Sequence, residues 1–276
     1  MIQRITVLIG YLLRRFILSL TGLIFLNITL AFWLLLFPPG QGTPDADNYI
    51  LVIGVFGGAA TFLITLSVAS HANQAAHYPL VVRLASRVEY LTAVLVTSLV
   101  ASGLLQLLVA VLALYRGPVK NWQLLLSVPP LWISVNVLTA VLALHATDFV
   151  TNGWSRVYLF GILALLLFSQ DSNGFLVSWF GGLASNLGNT MMRSGAASLG
   201  DIFFNISRWL AEGSGGTISQ FFGLAFWPFR AIAHATINGF FDTLQALAPA
   251  ALLLYATFLF LLAADLFATK DLDFLE

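Results

Sequence analysis

The chain has 276 residues, of which 59% are hydrophobic and only 9% are charged. Soluble domains carry roughly 25% charged residues, so this composition excludes an ordinary soluble globular protein. Twelve basic and twelve acidic side chains cancel, and no basic patch interleaved with aromatic residues predicts a nucleic-acid partner. Because the chain has no cysteine, disulfides and cysteine-based metal sites are excluded.

Continuous apolar runs of about 18 residues or more predict a polytopic helical membrane protein. The predicted fold is all-α, with about six transmembrane helices in one transmembrane domain over residues 1–276. The predicted spans are Phe16–Phe37, Tyr49–Ser70, Val88–Tyr115, Leu124–Thr147 and Leu247–Phe267, with a shorter apolar run at Val157–Ser169.

The first fifteen residues place apolar side chains at helical spacing, with Arg4, Arg14 and Arg15 among the polar complement. This pattern predicts a helix in the membrane interface on the cytoplasmic side. A signal peptide is the competing interpretation. The apolar run after Arg15 is too long for one, and the following PPGQG is not a small-residue cleavage site. We therefore favour an uncleaved interfacial helix.

The distribution of cations predicts the orientation in the membrane. The loop PPGQGTPDADN is acidic and cation-free, as expected outside, whereas Arg116 and Lys120 are minor exceptions on that side. The cations on the predicted inner side are Arg4, Arg14, Arg15, Arg83, Arg87, Arg156 and Lys270. We expect a multi-pass protein of the plasma membrane with both termini in the cytoplasm.

Small residues cluster on the second predicted span, at Gly54, Gly57, Gly58, Ala59 and Ala60. Such clusters usually let another membrane helix approach closely. We therefore interpret them as a packing surface rather than a ligand site.

Residues 171–243 predict an outer segment of amphipathic or re-entrant helices. The Gly-rich run that begins at Phe175 is typical of a half-span. Ser198–Glu212 predicts an amphipathic helix along the outer membrane surface, with Ser198 and Asp201 as a start of capping-box type.

The sequence contains no nucleotide-binding, catalytic or metal-binding motif. Its four histidines are scattered, which favours interface positions over metal ligation; they are His71, His77, His145 and His234. Almost every charge falls at a predicted span end, and Asp265 is the main exception. We therefore expect no enzyme activity, no cofactor and no charged pathway through the membrane.

The coupling segment, residues 71–88, joins the second and third predicted spans on the cytoplasmic side. Pro79 lies where a short helix can begin, and Arg83 and Arg87 follow one helical turn apart, with Glu89 just beyond. A basic element joined directly to a span is a natural place for a soluble partner to act on a membrane domain.

The stretch YPLVVRLASRVEYLTAVLVTSLV, from Tyr78 to Val100, resembles the corresponding segment of type-2 ATP-binding-cassette (ABC) exporter permeases. The order of parts is similar as well, and Phe175–Phe241 resembles the outer re-entrant helices of that family. The final DLDFLE is similar to the ends of some bacterial members. The resemblance implies a coupling helix that docks on an ATPase subunit, with Arg83, Arg87 and Glu89 at or beside the contact.

The resemblance therefore implies a permease subunit that moves an apolar or amphipathic substrate. Its partners would be an ABC ATP-binding subunit, a second permease in a homo- or heterodimer, and the lipid membrane. A non-transporting membrane scaffold that assembles other proteins is the alternative. An integral-membrane enzyme ranks last, because no acid, base or metal set converges.

Overall fold

The computed structural model describes residues 2–37, 46–74, 81, 84, 86–115, 122–148, 150, 161, 175–209, 227–229, 231–232 and 245–269. The chain divides into two units, one formed by residues 1–159 with 232–276 and the other by residues 160–231. The helices of the first unit are α1 (Ile2–Ile17), α2 (Leu20–Leu36), α3 (Ala46–Ala72), α4 (Arg87–Tyr115), α5 (Trp122–His145) and α8 (Ala248–Thr269). The second unit contains α6 (Phe175–Arg193) and α7 (Ala197–Trp209).

Four of the described helices are long and apolar enough to cross a membrane: Tyr49–Ala72, Arg87–Leu114, Val128–His145 and Ala248–Thr269. The bent pair of α1 and α2 gives a fifth if it is counted as one span. The chain is therefore an all-helical protein compatible with a membrane. The short apolar run Val157–Ser169, on which the count of six depends, lies outside the described residues except for Gly161.

The elbow between α1 and α2 bends the chain by 69°. Ser19 caps α2, since its Oγ accepts from the Gly22 amide at 3.1 Å and donates to the Phe16 carbonyl at 2.6 Å. Gly22 lies against that same carbonyl, where any Cβ would collide. The sequence predicted that the first helix ends at Arg15. In the structure α1 continues to Ile17 and α2 begins at Leu20.

Helix α3 packs against both α4 and α5, and α8 packs against α5. Tyr49 Oη donates to the Ala110 carbonyl at 3.2 Å near one end of α3. Tyr90 Oη donates to the Ala72 carbonyl at 3.1 Å at the other end. Helices α3 and α4 are therefore antiparallel. Trp132 Nε1 donates to the Ile50 carbonyl at 3.3 Å, which places the N-terminal halves of α5 and α3 side by side.

Two contacts fix the direction of α8. His145 Nε2 lies 2.9 Å from the Leu259 carbonyl, and Arg87 Nη1 donates to the Ala268 carbonyl at 3.4 Å. Helix α8 therefore runs parallel to α5 and ends beside the start of α4. We call this end of the bundle, where α3 ends, α4 begins and α8 ends, the basic end.

The predicted packing role of the small residues on α3 is confirmed at Gly54 and Gly57. A Cβ on Gly54 would lie 3.1 Å from Trp132 Nε1 on α5. A Cβ on Gly57 would overlap the amide group of Gln106 on α4. Glycine lets α3 approach both neighbours at these levels.

A pair of buried amides joins three helices at the level of Gly57. Gln106 Nε2 donates to the Ile53 carbonyl at 3.1 Å, and Asn136 Nδ2 donates to Gln106 Oε1 at 2.6 Å. The two side chains are 4% and 7% exposed. Asn136 Oδ1 is buried and has no hydrogen-bond partner in the described part of the chain. The amides therefore connect α3, α4 and α5 with neutral groups.

The second unit contains a helical hairpin. Helix α6 ends in a Schellman motif, in which the Ala196 amide donates to Met191 at 3.0 Å and Gly195 adopts a φ of 83°. The predicted amphipathic helix from Ser198 is present as α7. The Gly-rich run that begins at Phe175 forms one continuous helix, α6, and its predicted role as a half-span stays a prediction.

Candidate coupling site

Two of the three predicted site residues, Arg87 and Glu89, fall at the start of α4. Arg83 and Pro79 lie outside the described residues. Arg87 is the first residue of α4, and Glu89 stands in its first turn. Helix α3 continues through His71 and ends at Ala72, two residues beyond the predicted end of the second span at Ser70.

Ser86 accounts for where α4 begins. Its Oγ accepts from the Val88 amide at 3.2 Å, and its carbonyl accepts from the Glu89 amide at 3.1 Å. Ser-x-x-Glu is the capping-box pattern, and an acidic side chain in the first turn is favoured by the helix dipole. The local sequence therefore starts α4 within the last residues of the coupling segment, at Arg87.

Arg87 joins the start of α4 to the end of α8. Its contact, the Ala268 carbonyl, belongs to the last turn of α8, where carbonyls have no partner within the helix. A cation is also favoured there by the helix dipole. Arg87 is half-buried, so it can bind the end of α8 while part of its side chain stays exposed.

Tyr90 likewise binds the C-terminal end of α3. Its side chain is fully buried, and its Oη binds the carbonyl of Ala72, the last residue of α3. One turn of α4 thus holds the C-terminal ends of two other helices. The sequence analysis missed Tyr90, although an aromatic residue with a polar tip at a span end is a known interface signal.

Glu89 lies inside the bundle rather than on its surface. Its side chain is 6% exposed, and its Oε2 makes no hydrogen bond to any part of the chain that the structure describes. A buried polar atom without a hydrogen bond is costly, so the position is sensitive to any change in its surroundings. Arg87 and Glu89 therefore differ in kind, since only Arg87 offers surface to a partner.

Helix α1 reaches the basic end as well. Arg15 places one Nη 3.5 Å from Gln74 Oε1, just after α3, and the other 3.4 Å from Tyr11 Oη. Helix α1 also packs along α4. Four helices, α1, α3, α4 and α8, therefore meet around the start of α4.

Within the described residues no group of three or more His, Asp or Glu side chains is placed to hold a metal ion. His145 instead contacts the Leu259 carbonyl, and His71 Nδ1 lies 2.8 Å from the Ser67 carbonyl. Asp265, the predicted exception among the charges, is exposed near the end of α8.

A comparison of the chain with known protein families, curated proteins and solved structures finds no match.

Proposed function

We propose that the chain is a permease subunit of ATP-binding-cassette type, moved at its basic end by separate ATPase subunits. One observation carries the proposal: the first turn of α4 holds the C-terminal ends of both α3 and α8. A force applied to the coupling segment would therefore displace three spanning helices together. Rigid-body shifts of this kind are a standard route from an effector to a distant change.

The energy for such a shift would come from outside the chain. A ligand moves a two-state protein only through its different affinity for the two states. Nucleotide would supply that difference by causing two ATPase subunits to close into a dimer. The permease itself would pair with a second copy or with a sister permease. The chain's part is to transmit the movement.

The polar groups inside the bundle support an apolar or amphipathic substrate. At mid-height of α4 and α5, the buried polar side chains Gln106 and Asn136 are neutral. A transported ion or a proton relay usually requires ionisable groups at that depth.

The direction of the helices supports six crossings. Helix α5 runs parallel to α8, so α5 is directed toward the basic end whereas α8 begins at the opposite end with Ala248. The chain between them therefore needs an odd number of crossings. One such crossing, with α2, α3, α4, α5 and α8, gives six, and both termini then lie on the cytoplasmic side of the plasma membrane.

Charge reversal tests the coupling role. The double variant Arg83→Glu/Arg87→Glu should abolish stimulation of the partner ATPase while membrane insertion and purified yield are retained. Arg4→Glu is the matched control, because Arg4 is an exposed arginine on α1 outside the coupling segment. Unchanged ATPase stimulation in the double variant would refute the assigned role.

A membrane scaffold is the second candidate, and α2 is the observation that favours it. Only Thr29 of α2 is buried, and leucine and isoleucine side chains are exposed along its length. Such a helix suits lateral contact with another membrane protein. Purification in mild detergent separates the two functions: a permease should bring an ATP-binding subunit with it, and a scaffold should bring a larger membrane complex that lacks one.

A further inference from the structure

A pocket of about 230 Å³ lies between the α1–α2 elbow and the last turns of α3. Its lining residues are Leu12, Arg15, Phe16, Ser19, Val68 and His71. A phosphate group together with the first methylenes of an acyl chain is comparable in size to this volume. The pocket belongs to the basic end, and His71 is the one of these lining residues that falls within the coupling segment.

The lining is divided between two kinds of chemistry. Leu12 and Val68 are buried and, with Phe16, form an apolar floor. Arg15, Ser19 and His71 supply the polar groups. A pocket of this composition fits an amphiphile, since a fully hydrated ion would leave the apolar floor unused.

Two of the polar groups are suited to an anion. Arg15 contacts Gln74 and Tyr11 at 3.5 Å and 3.4 Å, longer than the roughly 2.7–2.9 Å of a charge-assisted hydrogen bond. The Arg15 guanidinium lines the pocket, and a phosphate oxygen is an acceptor that forms charge-assisted hydrogen bonds with such a group. His71 engages the Ser67 carbonyl through Nδ1, so Nε2 is the ring nitrogen outside that contact.

The surrounding charge favours the same sign of ligand. Residues 2–36 contain Arg4, Arg14 and Arg15 and no acidic residue. The N-terminus of α2, capped by Ser19, adds the positive end of a helix dipole beside the pocket. An anion is therefore favoured over a cation or a neutral headgroup.

We propose that this pocket binds the phosphate headgroup of an anionic phospholipid, with the start of an acyl chain on the apolar floor. Arg15 and His71 bind the phosphate, and Leu12, Phe16 and Val68 contact the chain. The lipid would fill the angle of the elbow and hold α1 against the end of α3. This role requires only that the chain lies in a membrane, and it is independent of the proposed transport.

Native mass spectrometry of the full chain tests the proposal. The protein is released from nanodiscs that contain equal amounts of phosphatidylglycerol and phosphatidylcholine, and the ratio of the two bound lipids is measured. The wild type should retain phosphatidylglycerol preferentially. Arg15→Gln should lower that preference by about tenfold, because a hydrogen bond to a charged group typically contributes that factor or more.

Arg14→Gln is the matched control, since it removes the same charge from the neighbouring residue, which does not line the pocket. Val68→Phe keeps every charge and fills the floor, so it should also release the lipid, provided that its melting temperature stays near that of the wild type. Equal losses in Arg14→Gln and Arg15→Gln would show general attraction to a basic surface and overturn the proposal.

Inorganic phosphate distinguishes a lipid from a free anion. Phosphate at millimolar concentration should leave the phosphatidylglycerol adduct in place, because it makes no contact with the apolar floor. Displacement of the adduct by phosphate alone would show that the pocket selects a free anion, and the lipid proposal would fail.

Discussion

Gly57 and Gln106 show how much of the bundle depends on single side chains. The missing Cβ of Gly57 leaves room for the Gln106 amide, which binds the Ile53 carbonyl and accepts from Asn136. A membrane offers no water to replace such hydrogen bonds. The amide pair therefore sets the height at which α3, α4 and α5 meet.

Gly57→Ala should lower the free energy of unfolding by about 1–3 kcal/mol, because the new methyl group overlaps the Gln106 amide. Thermal unfolding in detergent measures the loss. Gly103→Ala on α4 is the control, since no atom of the described residues lies within 4 Å of a Cβ built there. The double variant Gly57→Ala/Gln106→Ala should lose less stability than the sum of the two single variants, because the overlap is absent once Gln106 is truncated. Equal stability of Gly57→Ala and Gly103→Ala would contradict the packing described here.

The glycines were predictable from the sequence, whereas their partners were not. Five small residues within seven positions of one span indicate a close helix contact. Gln106 and Asn136 lie 30 residues apart on different helices. Hydrophobic periodicity does not indicate which residues of two neighbouring helices lie at the same height. The contact between Gln106 and Asn136 could therefore not be predicted from the sequence. Tyr90 was missed for the same reason, because its acceptor belongs to another helix.

At the scale of the helices, the elbow between α1 and α2 depends on local chemistry. Ser19 supplies the cap and Gly22 allows the close approach to the Phe16 carbonyl. The composition of residues 1–15 predicted a separate N-terminal helix, and that helix is present. The exact boundary between α1 and α2 depends on Ser19, which was not recognised as a cap because apolar residues continue on both sides of it.

Gly22→Val should open the 69° elbow, because its side chain would collide with backbone that cannot move independently of α1. Spin labels on cysteines at Arg4 and Leu34 measure the distance between the two helices, and the absence of native cysteine makes the labelling specific. The distribution should shift and broaden. Gly10→Val on α1 is the control, since a Cβ there meets no atom within 4 Å. An unchanged distribution for Gly22→Val would contradict the role of Gly22.

At the scale of the whole molecule, four helices meet at one end of the bundle. The ends of α3 and α8 and the start of α4 lie together, and α1 joins them through Arg15. Composition and cation placement predicted a helical membrane protein whose cations gather on one side. The contacts place the described cations Arg15 and Arg87 at a common end.

The proposed odd number of crossings between α5 and α8 has a direct test. Asp148→Cys follows α5 and Ala246→Cys precedes α8, so a membrane-impermeant maleimide applied to intact cells should label Ala246→Cys alone. Asp148→Cys should react only after permeabilisation. Labelling of both positions from the same side would require an even number of crossings and would contradict the proposed six.

The central claim is that a soluble ATPase acts on the coupling segment at the basic end. A photo-crosslinking residue placed at position 83 or 87 in intact cells tests it most directly, with position 246 at the opposite end as the control. The account predicts a crosslink from 83 and 87 to one nucleotide-hydrolysing protein and none from 246. Crosslinks from 83 and 87 only to lipid or to extracellular proteins would contradict it.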